Sequence, residues 1–504
     1  MIASAGSNQK LILISVLTLA VAVVCGGLVG LGAGIVVAVA LFVLMAGIGS
    51  IIDSRVAAIA IVFLLPISVT KVMPHQMLGI TGLNPLNAMI GLGLVSLLFA
   101  TAFGRTKPFP IPWRFVVPFV VALGLAAAVG MGKVRQISPH FYLLEPELYS
   151  TAGQYVRDVF FRPLLNILAI GLVAAAVAQS KQPERWITLA TASALALPVT
   201  IVGVVLMSGQ GLSDLASPSA RMFLSATGMH ANVLQVVLLP AYAAALFMLP
   251  ASRGWARVFY GAATLALLIG LTLTFSRAAF LSTLLVTVAF FAFRRKFRYF
   301  VVGALVFLFA ALVVPDAVIE RATVGFDSGQ VGGRHDPLTA GRVGGIWLPL
   351  LPEIVKHPVL GDGINSTMWS EPSRRGVFVE NHPHNAYLRL LMDHGLVGGA
   401  LVLLFLWRTW RLFRDMSARK ELPAQVNEYF RGVSVAFVVF VGVQCMAGTK
   451  LVFDIHIFYL LPLGIGVGLV EWTRRNEVSK CARSSAGHQK VGIARGVEFP
   501  GDAA

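Results

Sequence analysis

The sequence predicts an all-α protein that crosses a membrane many times, on three observations: its composition, its recurring long apolar segments, and the basic residues between them. Of the 504 residues, 57% are hydrophobic and 12% are charged, and the mean hydropathy is +0.80. Soluble domains carry about 25% charged residues. The composition therefore excludes an ordinary soluble domain and predicts an integral membrane protein.

Long apolar segments recur along most of the chain. A helix needs about 20 residues to cross a hydrocarbon core of about 30 Å, and only helices and closed barrels can satisfy their backbone groups in lipid. The glycine-rich runs near the N-terminus lack the alternation of barrel strands. We predict about 12–14 transmembrane helices, with candidate segments at 11–30, 31–51, 56–72, 82–101, 115–131, 161–179, 186–207, 230–250, 258–275, 277–293, 299–315, 396–412, 430–447 and 455–472.

Basic residues cluster in alternate connections between these segments. The formal net charge of +17 is compatible with nucleic-acid binding, but short basic runs between apolar segments do not form one soluble basic face. We therefore predict no nucleic-acid partner. By the positive-inside rule the basic connections face the cytoplasm, and they lie around 105–114, 181–185, 253–257, 294–298 and 408–420.

The chain is predicted to hold one polytopic domain, 1–472, followed by a disordered cytoplasmic tail, 473–504. Lys10 precedes two consecutive apolar runs without a small-residue cleavage pattern, which predicts a retained signal anchor. One outward loop is large, at 316–395, and a loop of that length in a compact protein is usually functional.

Apolar residues in this loop repeat with helical spacing from Val343 to Ile354, which predicts a helix on or near the membrane surface. Pro349 and Pro352 would kink or end it.

A polar segment with three histidines, His382, His384 and His394, stands near the end of the same loop. Arg389 and Asp393 fall one helical turn apart there and can form an ion pair. A short helix over about 382–394 is predicted by its capping, first-turn and terminating residues, which are Asn381, Pro383 and Gly395.

Three outward-facing residues are candidates for chemistry. Arg277 lies between two apolar runs with almost no loop, where a charge is costly unless it meets water or a partner. The alternative for Arg277 is a helix-end side chain that reaches the interface. Arg221 is the lone basic residue of its outward loop, and the alternative for it is an ordinary solvated loop arginine. His384 can take a proton from a hydroxyl near neutral pH, although a lone loop histidine is more often structural. Arginine side chains suit pyrophosphate oxygens.

A metal site is the weaker alternative. Glu145 and Glu147 flank one proline in an outward loop, but no Asp-x-Asp motif accompanies them and carboxylate sites for hard cations need more oxygen ligands. The cysteines are too scattered for a zinc site or a disulfide framework, at Cys25, Cys445 and Cys481.

Three short patterns resemble the O-antigen ligase and O-antigen polymerase superfamily of bacterial membrane glycosyltransferases. They are His384-Asn385-Ala386-Tyr387-Leu388 with Gly395-Leu396-Val397-Gly398; Gly341-Arg342 through Trp347 with Pro358-Val359-Leu360-Gly361-Asp362-Gly363; and Ser276-Arg277 with the upstream Arg221 and Asn232. The resemblance covers about residues 219–410.

The resemblance implies an inner-membrane enzyme that moves a glycan from undecaprenyl pyrophosphate to an acceptor at the periplasmic face. It implies that His384 is the catalytic base and that Arg277 and Arg221 hold the pyrophosphate, without a metal or another cofactor. The acceptor is either lipid A core or a growing glycan chain. Four further residues within or beside these patterns are candidates for a supporting role, namely Arg342, Asn385, Tyr387 and Arg389.

Two other classes of function fit a polytopic chain. A transporter of lipid-linked oligosaccharide would need polar groups at the middle of the membrane, whereas the distinctive polar residues of this sequence gather at the outward side. A non-catalytic component of a polysaccharide export complex would leave the surroundings of His384 without a purpose.

Overall fold

The computed structural model describes residues 46–50, 53–68, 70, 73, 76–77, 80–81, 84–104, 113–144, 148–207, 224, 227, 231–274, 276–294, 342–377, 381–446 and 459–494. Within these residues the regular secondary structure is helical apart from one small hairpin, in which β1 (Gln76–Met77) pairs antiparallel with β2 (Ile80–Thr81). The predicted all-α fold class is confirmed.

The α-helices in chain order are α1 (Ser54–Ile67), α2 (Pro85–Ala102), α3 (Trp113–Met131), α4 (His140–Leu144), α5 (Ala152–Val156), α6 (Arg162–Ala178), α7 (Arg185–Ala194), α8 (Ala196–Met207), α9 (Ala231–Met248), α10 (Trp255–Thr272), α11 (Arg277–Arg294), α12 (Leu348–Lys356), α13 (Glu371–Arg374), α14 (Ala386–Ala418), α15 (Ala424–Val439) and α16 (Leu460–Ala494). In the part of the chain that the structure describes, three π-helices join them, π1 (Arg157–Phe161), π2 (Val343–Trp347) and π3 (Phe440–Gln444), with short 3₁₀ turns at Val134–Gln136, Leu249–Ala251 and Ser366–Trp369.

Eight helical segments of the described residues are long and apolar enough to cross a membrane. They are Pro85–Ala102, Ala152–Ala178, Arg185–Met207, Val233–Ala251, Trp255–Thr272, Arg277–Arg294, Ala386–Ala418 and Ala424–Gln444. Two shorter apolar helices, Ser54–Ile67 and Phe115–Met131, match further predicted segments. The predicted segments at 11–30 and 299–315 lie outside the described residues.

One end of the helix bundle is marked by contacts among the basic connections, and we call it the basic end. The Arg294 guanidinium binds the Glu428 carboxylate at 2.7 Å and donates to the Phe247 carbonyl oxygen at 2.9 Å. The Trp472 indole donates to the Ser180 carbonyl oxygen at 3.1 Å. These bonds bring together the C-terminal ends of α6, α9 and α11 and the N-terminal end of α15.

Different contacts mark the opposite end, which we call the motif end because it holds the polar motifs of the large loop. The Tyr155 hydroxyl donates to the Ile364 carbonyl oxygen at 2.9 Å, and the Ser138 amide donates to the Met368 carbonyl oxygen at 3.1 Å. The Ala386 amide at the start of α14 donates to the Cys445 carbonyl oxygen at 2.8 Å, just beyond π3.

The helix α16 continues to Ala494, into the segment 473–504 that the sequence predicts to be a disordered cytoplasmic tail. Near the end of the apolar part of α16, the Glu471 carboxylate binds the guanidinium groups of Arg474 and Arg475 at 2.9 and 2.8 Å. Pairs at these spacings stabilise a helix by about 0.2–0.5 kcal/mol each, and no proline interrupts the segment before residue 500.

Candidate active site

The backbone around His384 forms a tight turn rather than the first turn of a helix. His384 has a φ of +52°, in the left-handed region that side chains other than glycine enter at a cost of about 1–2 kcal/mol. The helix begins two residues later, at Ala386. Its cap is Asn385, whose side-chain oxygen accepts from the amides of Tyr387 and Leu388 at 3.0 and 3.1 Å. The predicted start near residue 382 with Asn381 as cap is therefore wrong.

This turn is fastened on both sides by hydrogen bonds from distant parts of the chain. On one side the Trp347 indole donates to the Pro383 carbonyl oxygen at 2.8 Å. On the other, the Ala386 amide bonds Cys445 and the Tyr387 hydroxyl donates to the Val441 carbonyl oxygen of π3. A π-helix leaves carbonyl groups outside the regular α-helical pattern and often stands at functional sites. The ring centroids of His382 and His384 lie 4.0 Å apart within the turn.

The predicted ion pair between Arg389 and Asp393 is confirmed, and it is buried. Arg389 Nε lies 3.0 Å from Asp393 Oδ2, with side-chain exposures of 9% and 3%. Arg389 also donates to the side-chain oxygen of Asn365. The side-chain nitrogen of Asn365 in turn donates to the Tyr149 hydroxyl at 2.7 Å. The amide and hydroxyl of Ser366 both donate to Asp393 Oδ1, at 3.0 and 2.7 Å. This network joins the large loop to α14.

Three glycines with positive φ let the loop cross the helix closely. Gly395 has a φ of +60° and kinks α14, which confirms the predicted break there, although the helix resumes at once. Gly361 and Gly363 have φ of +70° and +91°, and a Cβ on Gly361 would stand 2.6 Å from the Asp393 carbonyl carbon. The amides of Asp362 and Gly363 donate to the carbonyl oxygens of Met392 and Asp393 at 2.8 and 3.1 Å. We call this crossing the glycine clasp. Residues 361–365 form a turn there, in which the Ser366 amide donates to the Gly363 carbonyl oxygen at 3.1 Å.

The loop helix α12 packs beside the same part of α14. Ile346 and Leu350 are buried against Leu388 and Met392, with Trp347 partly buried next to them. Pro349 lies in the first turn of α12, where proline is tolerated, and Pro352 lies inside it.

An exposed ion-pair group joins α12 to α13. Lys356 Nζ lies 2.8 and 2.7 Å from carboxylate oxygens of Glu353 and Glu371. The hydrogen bond to Glu353 raises the pKa of Lys356, and the hydrogen bond from Lys356 lowers the pKa of Glu371.

Arg277 is the first residue of α11 and is half-buried. The residue before it, Ser276, is buried and donates through its hydroxyl to Gln235 Oε1 at 3.3 Å. Gln235 lies on α9 and is fully buried, and its Nε2 has no hydrogen-bond partner among the described residues. Sequence reasoning missed Gln235. Its one signal is an amide inside an apolar span, where a polar group is costly unless it has a role.

The N-terminal ends of α11 and α14 lie at the same end of the bundle. The bond from Arg294 to Glu428 places the end of α11 beside the start of α15, so these neighbouring helices run antiparallel. The extension of α15, π3, packs against α11 and therefore meets its N-terminal half, where Arg277 stands. The contact of Cys445 with Ala386 brings α14 to that end as well. Arg277 and His384 are thus both at the motif end.

The remaining predicted site residues divide between described and undescribed parts of the chain. Arg342 precedes π2 and is half-buried. Arg221, Glu145 and Glu147 lie outside the described residues. Over the ranges that the structure describes, no group of three or more His, Cys, Asp or Glu side chains is arranged to hold a metal ion.

Fold and site together define an all-α polytopic membrane protein with a cluster of polar residues and a strained turn at His384 at one end of its bundle. Residues 262–403 match the model of a family described as O-antigen ligase, and the predicted resemblance to the O-antigen ligase and polymerase superfamily is confirmed. Enzymes of this family are of the glycosyltransferase type, which implies a lipid-linked glycan donor and a membrane setting. The match includes Arg277, Arg342 and His384, but not Arg221. No curated protein matches the chain.

Proposed function

We propose that this protein transfers a glycan from undecaprenyl pyrophosphate to an acceptor hydroxyl at the periplasmic face of the bacterial inner membrane. The observation that carries the proposal is the turn at His384. A non-glycine residue held at positive φ by bonds from two distant elements stores strain, and such strain concentrates at active sites.

The distribution of charge supports the orientation. Arg294, Arg431 and Arg419 lie among the contacts of the basic end, and positively charged connections favour the cytoplasmic side. The motif end then faces the periplasm, where lipid-linked glycans are joined to their acceptors, and the C-terminus is cytoplasmic.

In the proposed reaction the acceptor oxygen attacks the anomeric carbon of the donor glycan while the bond from that carbon to the phosphate oxygen breaks. Undecaprenyl pyrophosphate leaves with the electron pair, and the proton of the acceptor hydroxyl passes to the imidazole of His384 and from there to solvent. Arg277 and Arg221 stabilise the negative charge on the leaving group. Direct attack from the opposite face inverts the anomeric centre. No step requires a metal ion, so we expect transfer to continue in EDTA.

The test is the substitution His384→Asn, because asparagine tolerates positive φ and so keeps the turn. General base catalysis contributes about 10²–10⁴-fold, and we expect glycan transfer to fall by that factor. The assay uses the full chain in nanodiscs with the lipid-linked glycan of its own host, and release of undecaprenyl pyrophosphate is the readout.

The neighbouring substitution His382→Asn is the matched control and should retain most of the activity. Full activity in the His384 variant, or loss confined to the His382 variant, would overturn the assignment of the base. The same assay with lipid A core, or with additional donor as acceptor, distinguishes a ligase from a polymerase by its product.

A further inference from the structure

The residue before His384 has one backbone group through which the protein can control it. Proline has no amide hydrogen, so the carbonyl oxygen of Pro383 is its sole backbone hydrogen-bonding atom. The Trp347 indole nitrogen donates to that oxygen at 2.8 Å.

This bond acts directly on the conformation of His384. The Pro383 carbonyl and the His384 amide share one planar peptide unit, and the orientation of that plane about the N–Cα bond of His384 is the φ angle. Holding the carbonyl therefore holds φ at its observed +52°. Loss of the bond removes this restraint on the relaxation of His384 to the negative φ that L-residues prefer.

The far side of His384 is held by a main-chain hydrogen bond and by the side-chain cap of α14. The Ala386 amide bonds the Cys445 carbonyl oxygen at 2.8 Å, and the Asn385 side chain caps α14. On the near side, at Pro383, the hydrogen bond comes from the side chain of Trp347.

Trp347 is itself well placed to act as a fixed donor. It ends π2, and the adjacent Ile346 and Leu350 are buried against Leu388 and Met392 on α14. The donor thus stands on an element that is packed against the same helix that His384 precedes.

We propose that Trp347 is a positioning residue that sets the turn of His384 and thereby aims its imidazole at the acceptor hydroxyl. The proposal rests on the proposed role of His384 as base. A misplacement of about 1 Å costs up to about 100-fold in rate, so one hydrogen bond at this position is enough to matter.

The experiment is Trp347→Phe, which keeps an aromatic ring in the cluster and removes the N–H donor. We expect kcat to fall about 10- to 100-fold, while the KM for the lipid-linked donor stays within about twofold, because His384 is not proposed to hold the donor. Trp255→Phe is the matched control, since Trp255 is 74% exposed, and it should change neither constant. If Trp347→Phe does not fold, benzothienylalanine at this position removes the N–H while preserving the shape of the indole.

A double-mutant cycle separates positioning from a general structural effect. In the His384→Asn background the tryptophan substitution should lower the residual rate no further, because Trp347 acts through His384. An equal loss in both backgrounds, or unchanged kcat in the single variant, would overturn the positioning role. An active His384→Asn variant would instead overturn the base itself, so the two failures are distinguishable.

Discussion

Among single residues, Asn385 and Arg389 show how a motif can mix chemical and structural groups. Both belong to the polar segment that the sequence marks as a site. The side-chain oxygen of Asn385 accepts hydrogen bonds from two amides of α14. The Arg389 guanidinium binds the side chains of Asp393 and Asn365. We interpret both as structural side chains rather than as groups that contact the substrate. Asn385 caps the helix that follows His384, and Arg389 joins that helix to the large loop.

The buried pair gives a prediction for stability. Asp393→Ala leaves the Arg389 charge buried without its carboxylate, and removing one partner of a buried pair costs about 3–5 kcal/mol. Thermal unfolding of the purified protein in detergent should show that loss. Asp415→Ala is the control on the same helix, because Asp415 pairs with Arg411 at the same spacing but both are about half exposed. It should cost no more than about 1 kcal/mol, and equal losses would contradict the burial argument.

The pair itself was predictable because its spacing is local. The partners of the pair were not. Asn365, Tyr149 and Ser366 come from positions far along the chain, and no local pattern marks them. The predicted start of α14 was wrong, because Asn381 and Asn385 can both cap a helix. Which of them does so depends on the bond from Trp347 to Pro383 and on the bond from Ala386 to Cys445.

Among the elements, the glycine clasp explains why a loop segment rich in glycine and a kinked helix occur together. A Cβ on Gly395 would stand 2.5 Å from the Val359 carbonyl oxygen, and the amides of Leu396 and Val397 donate to Pro358 and Val359 at 2.8 and 3.1 Å. The loop therefore replaces hydrogen bonds that the kink removes from the helix. This arrangement ties the large loop to α14 at residues 392–397, directly next to the Arg389–Asp393 pair.

Gly395→Ala should release the clasp. The positive φ alone costs an alanine about 1–2 kcal/mol, and displacement of the loop adds to it, so we expect a lower unfolding temperature and weaker glycan transfer. Gly399→Ala is the control four residues further along the helix. Its added Cβ would meet nothing closer than 3.8 Å, and helix propensity favours alanine there by about 0.5–1 kcal/mol. A Gly395 variant as stable as the Gly399 variant would contradict the clasp.

The helical elements themselves followed from composition and length, since apolar runs of about 20 residues have few alternatives in lipid. Their irregularities did not. The break at Leu195 between α7 and α8 and the widening at π3 occur inside apolar runs, where periodicity carries no mark of them. Of the spans, the described residues account for eight long ones and two shorter ones.

For the whole molecule, the separation of a basic end from a motif end makes a topological prediction. If the motif end faces the periplasm, a cysteine introduced by Arg375→Cys should react with a membrane-impermeant maleimide in intact spheroplasts, because residue 375 is exposed near α13. A cysteine introduced by Lys420→Cys, exposed beyond the C-terminal end of α14, should react only after permeabilisation, because that end carries the basic connections. The background for both carries Cys25→Ser and Cys481→Ser and keeps Cys445, which is buried, and it should remain unlabelled. Reaction of the residue 420 variant from outside would reverse the orientation and place His384 on the cytoplasmic side, where a periplasmic transferase cannot act.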